Sequence, residues 1–303
     1  MVLTSKVGMT GTSGLLGKHV VQYFLKKNYK IIGTSRTNPK VYHKNFFWKK
    51  LDLHKKINNK KLNIIFNDIN CLIHMGAYVP KKMNSASKNF INKVNIDSTI
   101  NLLKWSQRNN IHFIYISGSV IYNKNGKNSE NSKLLKNSKN PYIDSKIKCE
   151  KKILRLLKKK NYNYTIFRPS SIYGFGLDKS KLISKFIKIL QKNKVLKIFN
   201  FEKTKVNFIH AKDVASAIYL SFKLKKKGVF NVGSKNCYHF LSLSKILAKL
   251  IKSKSNIILR DNKKIKNLNS LDVKITKAKK ILNWRPVLSM RNGLKMTLQK
   301  KWN

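Results

Sequence analysis

Met9–Val20 reads MTGTSGLLGKHV, and its three glycines, Gly11, Gly14 and Gly17, decide how the rest of the chain is read. An apolar stretch, Val7–Thr10, precedes them, and Val20, Phe24 and Leu25 follow at helical spacing. Small residues at a strand-to-helix turn let a backbone approach a phosphate. The N–H groups and dipole of the helix start favour negative charge there. The chain holds only 13 glycines, so this cluster is a concentration and not background. The G-x-x-G-x-x-G spacing differs from the G-x-G-x-x-G of ordinary dinucleotide loops. The plain alternative is a tight turn without a ligand.

Outward from this loop, apolar runs alternate with helical stretches. Strands are predicted over Val7–Thr10, Lys30–Thr34, Phe46–Leu51, Cys71–His74, His112–Ser117 and Tyr164–Arg168, and helices over Leu15–Lys27, Phe90–Asn109 and Pro141–Lys159. That alternation predicts an α/β fold, a doubly wound parallel sheet of Rossmann-like type, over residues 1–170. Later helices are predicted over Leu182–Leu190, Asp213–Phe222 and Leu241–Ile251, with a short strand over Val229–Val232. A smaller C-terminal α/β substrate domain is expected over 171–204 and 234–303, with part of 205–233 returning to the first domain. Asn123–Asn140 is polar and reads as an exposed loop.

Charge is the oddity of the composition. Lys and Arg total 66 against 11 Asp and Glu, a formal +55 over 303 residues. Such an excess raises nucleic-acid binding as a function. Only seven of the basic residues are arginine, however, and the lysines are spread along the whole chain. Abundant Asn and Ile accompany them, as A- and T-rich codons would produce. Compositional drift is the preferred reading, with no specific nucleic-acid partner and a site field that favours an anionic substrate. No apolar run approaches the roughly 18 residues of a membrane span. The N-terminus lacks the pattern of a secretory signal. Cys71, Cys149 and Cys237 are isolated, without metal-ligand spacing. A cytoplasmic protein with no metal site and no membrane association is therefore expected. His74 has no histidine one turn on and reads as a strand-end packing or cofactor-side residue. His210 is expected to pair with Asp213 at the domain junction.

Several stretches, in chain order, resemble the extended short-chain dehydrogenase/reductases, the NAD-dependent epimerase/dehydratase family of nucleotide-sugar type. TGTSGLLG is similar to the family's cofactor loop, which implies that Gly11, Ser13, Gly14, Leu15, Leu16 and Gly17 face a dinucleotide. LDL, Leu51–Leu53, resembles the segment where an Asp touches the adenine, implying Asp52 and Leu53. IHMGA, Ile73–Ala77, is similar to the end of strand four under the cofactor, implying Met75, Gly76 and Ala77. VNIDST, Val94–Thr99, resembles the family's Val-Asn helix, with Ser98 in place of glycine, and implies Asn95. RPSSIYG, Arg168–Gly174, implies Pro169 on the cofactor side and Ser171 near the substrate, where relatives often carry asparagine. NFIHAKDVASAI (Asn207–Ile218) and the C-terminal DVKITKAKKILNWRPVLSMRNGL match further family segments. Where epimerases often place an arginine before the Phe208 segment, this chain offers Lys205. The resemblance also implies a homodimer through a helix bundle that includes the helix after strand five.

That helix opens with PYIDSK, Pro141–Lys146. A Tyr-x-x-x-Lys pair puts the ammonium one turn from the phenol, where its charge lowers the phenol's pKa. Here the spacing itself means little: 12 tyrosines and 59 lysines give about two such pairs by chance, and the chain has four. Position decides. Tyr23/Lys27, Tyr78/Lys82 and Tyr219/Lys223 lie elsewhere, and only Tyr142/Lys146 follows the fifth strand, where the resemblance places its proton-transferring pair. The alternative is a solvated helix face. A hydroxyl is expected at the end of strand five. Ser117 and Ser119 fall on one face by strand alternation, and Ser119 is preferred. Counting back from Tyr122, Gly118 stands where the resemblance implies that hydroxyl.

The resemblance implies hydride transfer at a sugar carbon. Dehydratases of this type carry an Asp-Glu pair after the hydroxyl. Val120 and Ile121 follow Ser119 here, which points to a 4-epimerase or a 4-keto reductase. Strand two ends in GTSR, Gly33–Arg36, with no acid for a ribose hydroxyl. Arg36 suits a 2′-phosphate, so NADP(H) is favoured over NAD(H), unless Arg36 only stacks on adenine. A ketone reductase on a non-nucleotide substrate and a non-catalytic dinucleotide-binding scaffold are the alternatives.

Overall fold

The computed structural model describes residues 6–80, 87–123, 126–157, 162–199, 205–260 and 271–300. In chain order the first half runs β1 (Lys6–Thr10), α1 (Leu15–Leu25), β2 (Lys30–Ser35), β3 (Phe46–Lys50), α2 (Asn59–Ile65), β4 (Ile69–His74), α3 (Lys88–Ile91), a π-helical stretch (Asn92–Asp97), α4 (Ser98–Arg108), β5 (His112–Ile116), β6 (Gly126–Asn128), α5 (Pro141–Leu157) and β7 (Tyr164–Pro169). The second half runs β8 (Ser171–Tyr173), α6 (Leu182–Gln191), β9 (Leu196–Phe199), β10 (Lys205–His210), α7 (Ala211–Lys223), β11 (Gly228–Val232), β12 (Cys237–His239), α8 (Phe240–Ile251), β13 (Ile257–Arg260), β14 (Leu271–Val273), α9 (Thr276–Leu282) and α10 (Met290–Leu298).

Seven parallel strands form the main sheet in the order β11-β7-β5-β4-β1-β2-β3. The chain leaves β1 towards β2 and later returns to its other side as β4, which opens a crevice at their carboxyl ends. Central strands buried on both faces need continuous apolar runs, and all five residues of β5, HFIYI, are buried. Helices α1 and α7 cover one face. Phe24 packs there against Tyr219 and Phe222 with ring centroids 5.5 Å apart. Leu62, Phe66, Leu102, Trp105 and Ile153, from α2, α4 and α5, cover the other. A further cluster joins Phe186, Leu190, Leu243, Leu247 and Leu294 of α6, α8 and α10 around the smaller strands. Strand β10 pairs with β8 and β12 in a three-stranded sheet, while β11 joins the edge of the main sheet.

Two expectations about elements fail. The single helix over Phe90–Asn109 is interrupted by the π-helical stretch, with the Ser98 N–H donating to the Lys93 carbonyl. Side chains compete for the carbonyls an α-helix would use. Ser98 Oγ donates to Val94 O, and Asn95 O accepts from both Thr99 Oγ1 and Cys149 Sγ. The exposed loop over Asn123–Asn140 is not wholly exposed. Gly126–Asn128 pairs with β14 as a strand, and Asn128 is fully buried. Its polar residues satisfy one another instead of meeting water: Asn231 Nδ2 donates to Asn128 O, and Asn231 N to Glu130 Oε1.

Candidate active site

The glycine loop joins β1 to α1. Gly11 has φ +73°, and a β-carbon there would run into the Gly76 backbone at 2.7 Å. A β-carbon on Gly17 would collide with the Gly11 carbonyl, so the helix seats directly on the loop. Gly14 is the N-cap of α1 and supplies no side-chain cap, and the first turn contains no acid. This arrangement fits an anionic phosphate by dipole and by N–H groups.

A cleft of about 190 Å³ opens beside the loop at the carboxyl ends of β1, β2 and β4. Of the residues expected at a dinucleotide, Gly11, Ser13, Gly14, Arg36, Asp52, Leu53, Met75, Gly76 and Ala77 line it. Leu15, Leu16 and Gly17 lie in the first turn of α1, outside the lining. Thr34, Ser35 and Tyr78 also line the cleft and escaped the sequence reading. Their only signal was adjacency to strand ends. Asp52 accepts the His54 N–H at 3.0 Å, which fixes its carboxylate. Arg36 is exposed at the rim. His74 lies beneath, with Nδ1 at 2.6 Å from Thr10 Oγ1 and Nε2 at 2.8 Å from Thr99 Oγ1, so both ring nitrogens are taken. Burial, then the Lys146 charge, lowers its pKa to about 3.

Pro141 and Asn140 start α5. Asn140 Oδ1 accepts the N–H of Tyr142 at 3.0 Å and of Ile143 at 3.3 Å, and a proline suits the first helical position. Tyr142 is half-buried in the first turn, and Lys146 is buried one turn on. Lys146 Nζ donates to Ile116 O at 2.7 Å, and it lies 4.8 Å from the Tyr115 ring centroid and 5.9 Å from that of Tyr142. The expected acidification of the phenol is not found in the chain alone. Burial pushes Tyr142 up to about 12. Burial also lowers Lys146 to about 8, against a smaller opposing influence of Cys149 and Glu150. Desolvation penalises both charged forms and is the largest cause for each.

Strand β5 ends at Ile116, and Ser119 opens a 3₁₀ turn, Ser119–Ile121. The alternation that favoured Ser119 therefore does not extend to it. Ser117 is held by its N–H to Phe167 O at 2.8 Å, and its buried Oγ has no hydrogen-bond partner among the described residues. Pro169 ends β7, buried, opposite Val232. Ser171 and Lys205 are exposed on the three-stranded sheet, opposite Phe208 and His239 respectively. None of Tyr142, Lys146, Ser117, Ser119, Asn95 and Pro169 lines the cleft. Asn95 instead binds Tyr78: its Oδ1 accepts the Tyr78 N–H at 2.7 Å. His210 does not pair with Asp213. Its Nδ1 caps α7 through the Lys212 N–H at 3.1 Å, while the Asp213 carboxylate accepts from Val287 N and Leu288 N.

Residues 7–233 match the family profile described as the NAD dependent epimerase/dehydratase family. The chain belongs to that family. Its curated relatives include a putative UDP-glucose 4-epimerase of Methanocaldococcus jannaschii, 25% identical over 95% of each chain. A UDP-glucuronate 4-epimerase of Thermodesulfobacterium geofontis is also 25% identical, over 96% of this chain and 94% of that one. A solved UDP-glucose 4-epimerase with UDP-glucose from Thermotoga maritima shares the fold at TM-score 0.84 and 21% identity, over 97% of this chain and 98% of that one. This epimerase/dehydratase-family protein is thus an enzyme of the extended short-chain type. No helix among its described residues is long and apolar enough to cross a membrane.

Proposed function

We propose that this enzyme interconverts a nucleotide-activated sugar and its 4-keto or 4-epimeric form by NAD(P)-dependent hydride transfer. The observation that carries the reading is the pairing of a phosphate-fitting glycine cradle with Tyr142 and Lys146 stacked at the end of β5. The bound nicotinamide supplies hydride acceptance and return. Tyr142 holds the proton exchanged with the sugar oxygen, and Lys146 supplies the fixed positive charge beside it. A hydroxyl from Ser117 or Ser119 orients that oxygen. Ser117 is the stronger candidate because its Oγ is buried and unpartnered. Ser171 and Lys205 would meet the nucleotide side of the substrate. The two-domain arrangement belongs to the same reading, with residues 1–170 and the returning α7 and β11 holding the dinucleotide.

Arg36 at the cleft rim favours a second version, 4-keto reduction with NADP(H). A phenol near pKa 12 is neutral at physiological pH. That suits the proton-donating, reductive half of the reaction. A thermal-shift panel of NAD⁺, NADH, NADP⁺ and NADPH crossed with UDP-, GDP- and dTDP-sugars tests the reading. Stabilisation by a dinucleotide and at least one nucleotide sugar is expected, followed by epimer formation or cofactor oxidation that Tyr142→Phe abolishes. Unchanged turnover in Tyr142→Phe would remove the proton relay. Arg36→Ala is expected to weaken NADP(H) while leaving NAD(H) binding nearly unchanged.

A further inference from the structure

We propose that the chain carries a second ligand site, at the end of the main sheet opposite the glycine cradle, whose chemistry suits a nucleoside monophosphate. A cavity of about 350 Å³ opens there, at the amino ends of β4, β5 and β7, and is larger than the catalytic cleft. Pockets from about 300 Å³ upwards hold small molecules. His112, the first residue of β5, lines it together with the rings of Tyr29 and Phe222. Lys223 and Lys225 stand exposed at its mouth. No acid lines it among the described residues, and neither lysine forms an ion pair with a described one. None of the residues assigned above to the cofactor, the proton relay or the sugar nucleotide belongs to this cavity.

His112 decides the chemistry, because its one hydrogen bond fixes which ring nitrogen bears the proton. Thr165 Oγ1 donates its single proton to Lys226 O at 2.6 Å, so towards His112 Nε2, 3.0 Å away, it only accepts. Nε2 therefore holds the ring hydrogen. Burial lowers the imidazole's pKa to about 4, which keeps it neutral and leaves Nδ1 a bare acceptor. No hydrogen bond among the described residues uses Nδ1. A ring only 6% exposed, with one nitrogen spent on the fold and the other unmatched at a cavity wall, calls for a donor from a ligand. The exocyclic amine of a nucleobase is such a donor. Tyr29 and Phe222 supply aromatic surface for the base to pack on. The phosphate end is matched by charge. Lys223 closes α7, and Lys225 follows it in the left-handed region, φ 47°. The C-terminus of α7 presents about half a negative charge, against two full positive ones. Lysine is plentiful throughout this chain, so charge alone would mark no site. The unmatched acceptor inside the same cavity is what singles this one out.

Adenosine 5′-monophosphate tests the assignment on the full chain in about 0.15 M sodium chloride, where diffuse adhesion of anions is screened. Hydrogen exchange locates the ligand, and protection of residues 110–113 and 222–226 is expected. Titration calorimetry gives the affinities. Lys223→Gln combined with Lys225→Gln should weaken binding about tenfold. Lys185→Gln combined with Lys188→Gln removes the same charge from the exposed face of α6 and should change it less than about twofold. Purine riboside 5′-monophosphate lacks the exocyclic amine and should bind about tenfold more weakly than adenosine monophosphate, the scale of one hydrogen bond. His112→Phe should erase that preference, which a loss of stability alone would not do. Dinucleotide binding should be unchanged in every one of these variants. Protection confined to residues 11–17 and 75–78 would place the ligand in the dinucleotide cleft and overturn the second site. Equal weakening by the two lysine pairs would overturn it too, by reducing the binding to general charge. Inorganic phosphate binding as tightly as the nucleotide, no preference for the amine in the wild type, or a preference that survives in His112→Phe would overturn the nucleotide as its ligand.

Discussion

Gly118 occupies extended backbone, φ 178°, that any residue adopts. A β-carbon there would meet nothing closer than Val120 Cγ2 at 3.7 Å. Gly118→Ser should therefore fold normally, with a melting temperature unchanged or slightly raised because the unfolded chain loses freedom. It places a hydroxyl where the resemblance expects one, and turnover should rise several-fold. Lower activity at an unchanged melting temperature would mean that the substrate itself fills this space. On the proposed reading, the pH profile follows Lys146. Its pKa is lowered to about 8, so the ammonium is present below that value and lost as pH rises through it. Turnover in the ketone-reducing direction should accordingly decline above pH about 8, and a rate that climbs through that range would contradict the assigned role. That Tyr142 and Lys146 open the helix after the fifth strand was legible from chain order. Their titration was not, because it depends on burial contributed by strands distant in sequence.

Helix α5 carries Tyr142, Lys146 and Glu150 at successive i,i+4 positions, and the third anchors the first two. Glu150 is fully buried, and the Arg168 guanidinium forks onto it, Nε at 3.1 Å from both carboxylate oxygens and NH2 at 2.6 Å from Oε2. Arg168 NH1 also donates to Tyr122 OH at 3.0 Å and Glu130 O at 2.9 Å, tying α5 to β7 and to the segment after β6. Glu150→Ala leaves a buried guanidinium without its counter-ion and should cost about 3–5 kcal/mol, read as a lowered denaturation midpoint at unchanged m-value. Glu150→Met combined with Arg168→Met should cost less than that single change. A smaller loss in Glu150→Ala than in the double variant would show that the pair is not the anchor. The start of α5 was readable from Pro141 and a helical apolar period, while its expected end at Lys159 lies outside the described residues. The break before α4 was not readable, since it needs Cys149 of a different helix to claim the Asn95 carbonyl.

For the whole molecule, the formal charge of +55 sets the response to salt. The parallel, doubly wound character of the main sheet was readable from the alternation of apolar runs, though its strand order was not, and the lysines leave that signal undisturbed because Lys146 alone among the described lysines is buried. Arg168–Glu150 is buried and weakly screened, Lys148–Asp144 at 2.8 Å joins an exposed ammonium to a buried carboxylate, and Lys6–Asp68 at 3.4 Å is a surface pair. Surface pairs of this kind contribute about 0–1 kcal/mol. With only 11 acids to set against 66 bases, long-range repulsion outweighs them. The Debye length falls from about 30 Å at 0.01 M salt to about 8 Å at 0.15 M. Added sodium chloride should therefore raise the melting temperature over that range. Adhesion to heparin or to mixed-sequence DNA should vanish over the same range, since compositional charge without a built interface binds through counterion release alone. A melting temperature that falls with salt would mean that attractive pairs govern the surface. Retention of one DNA sequence over another at 0.15 M would restore nucleic acid as a partner.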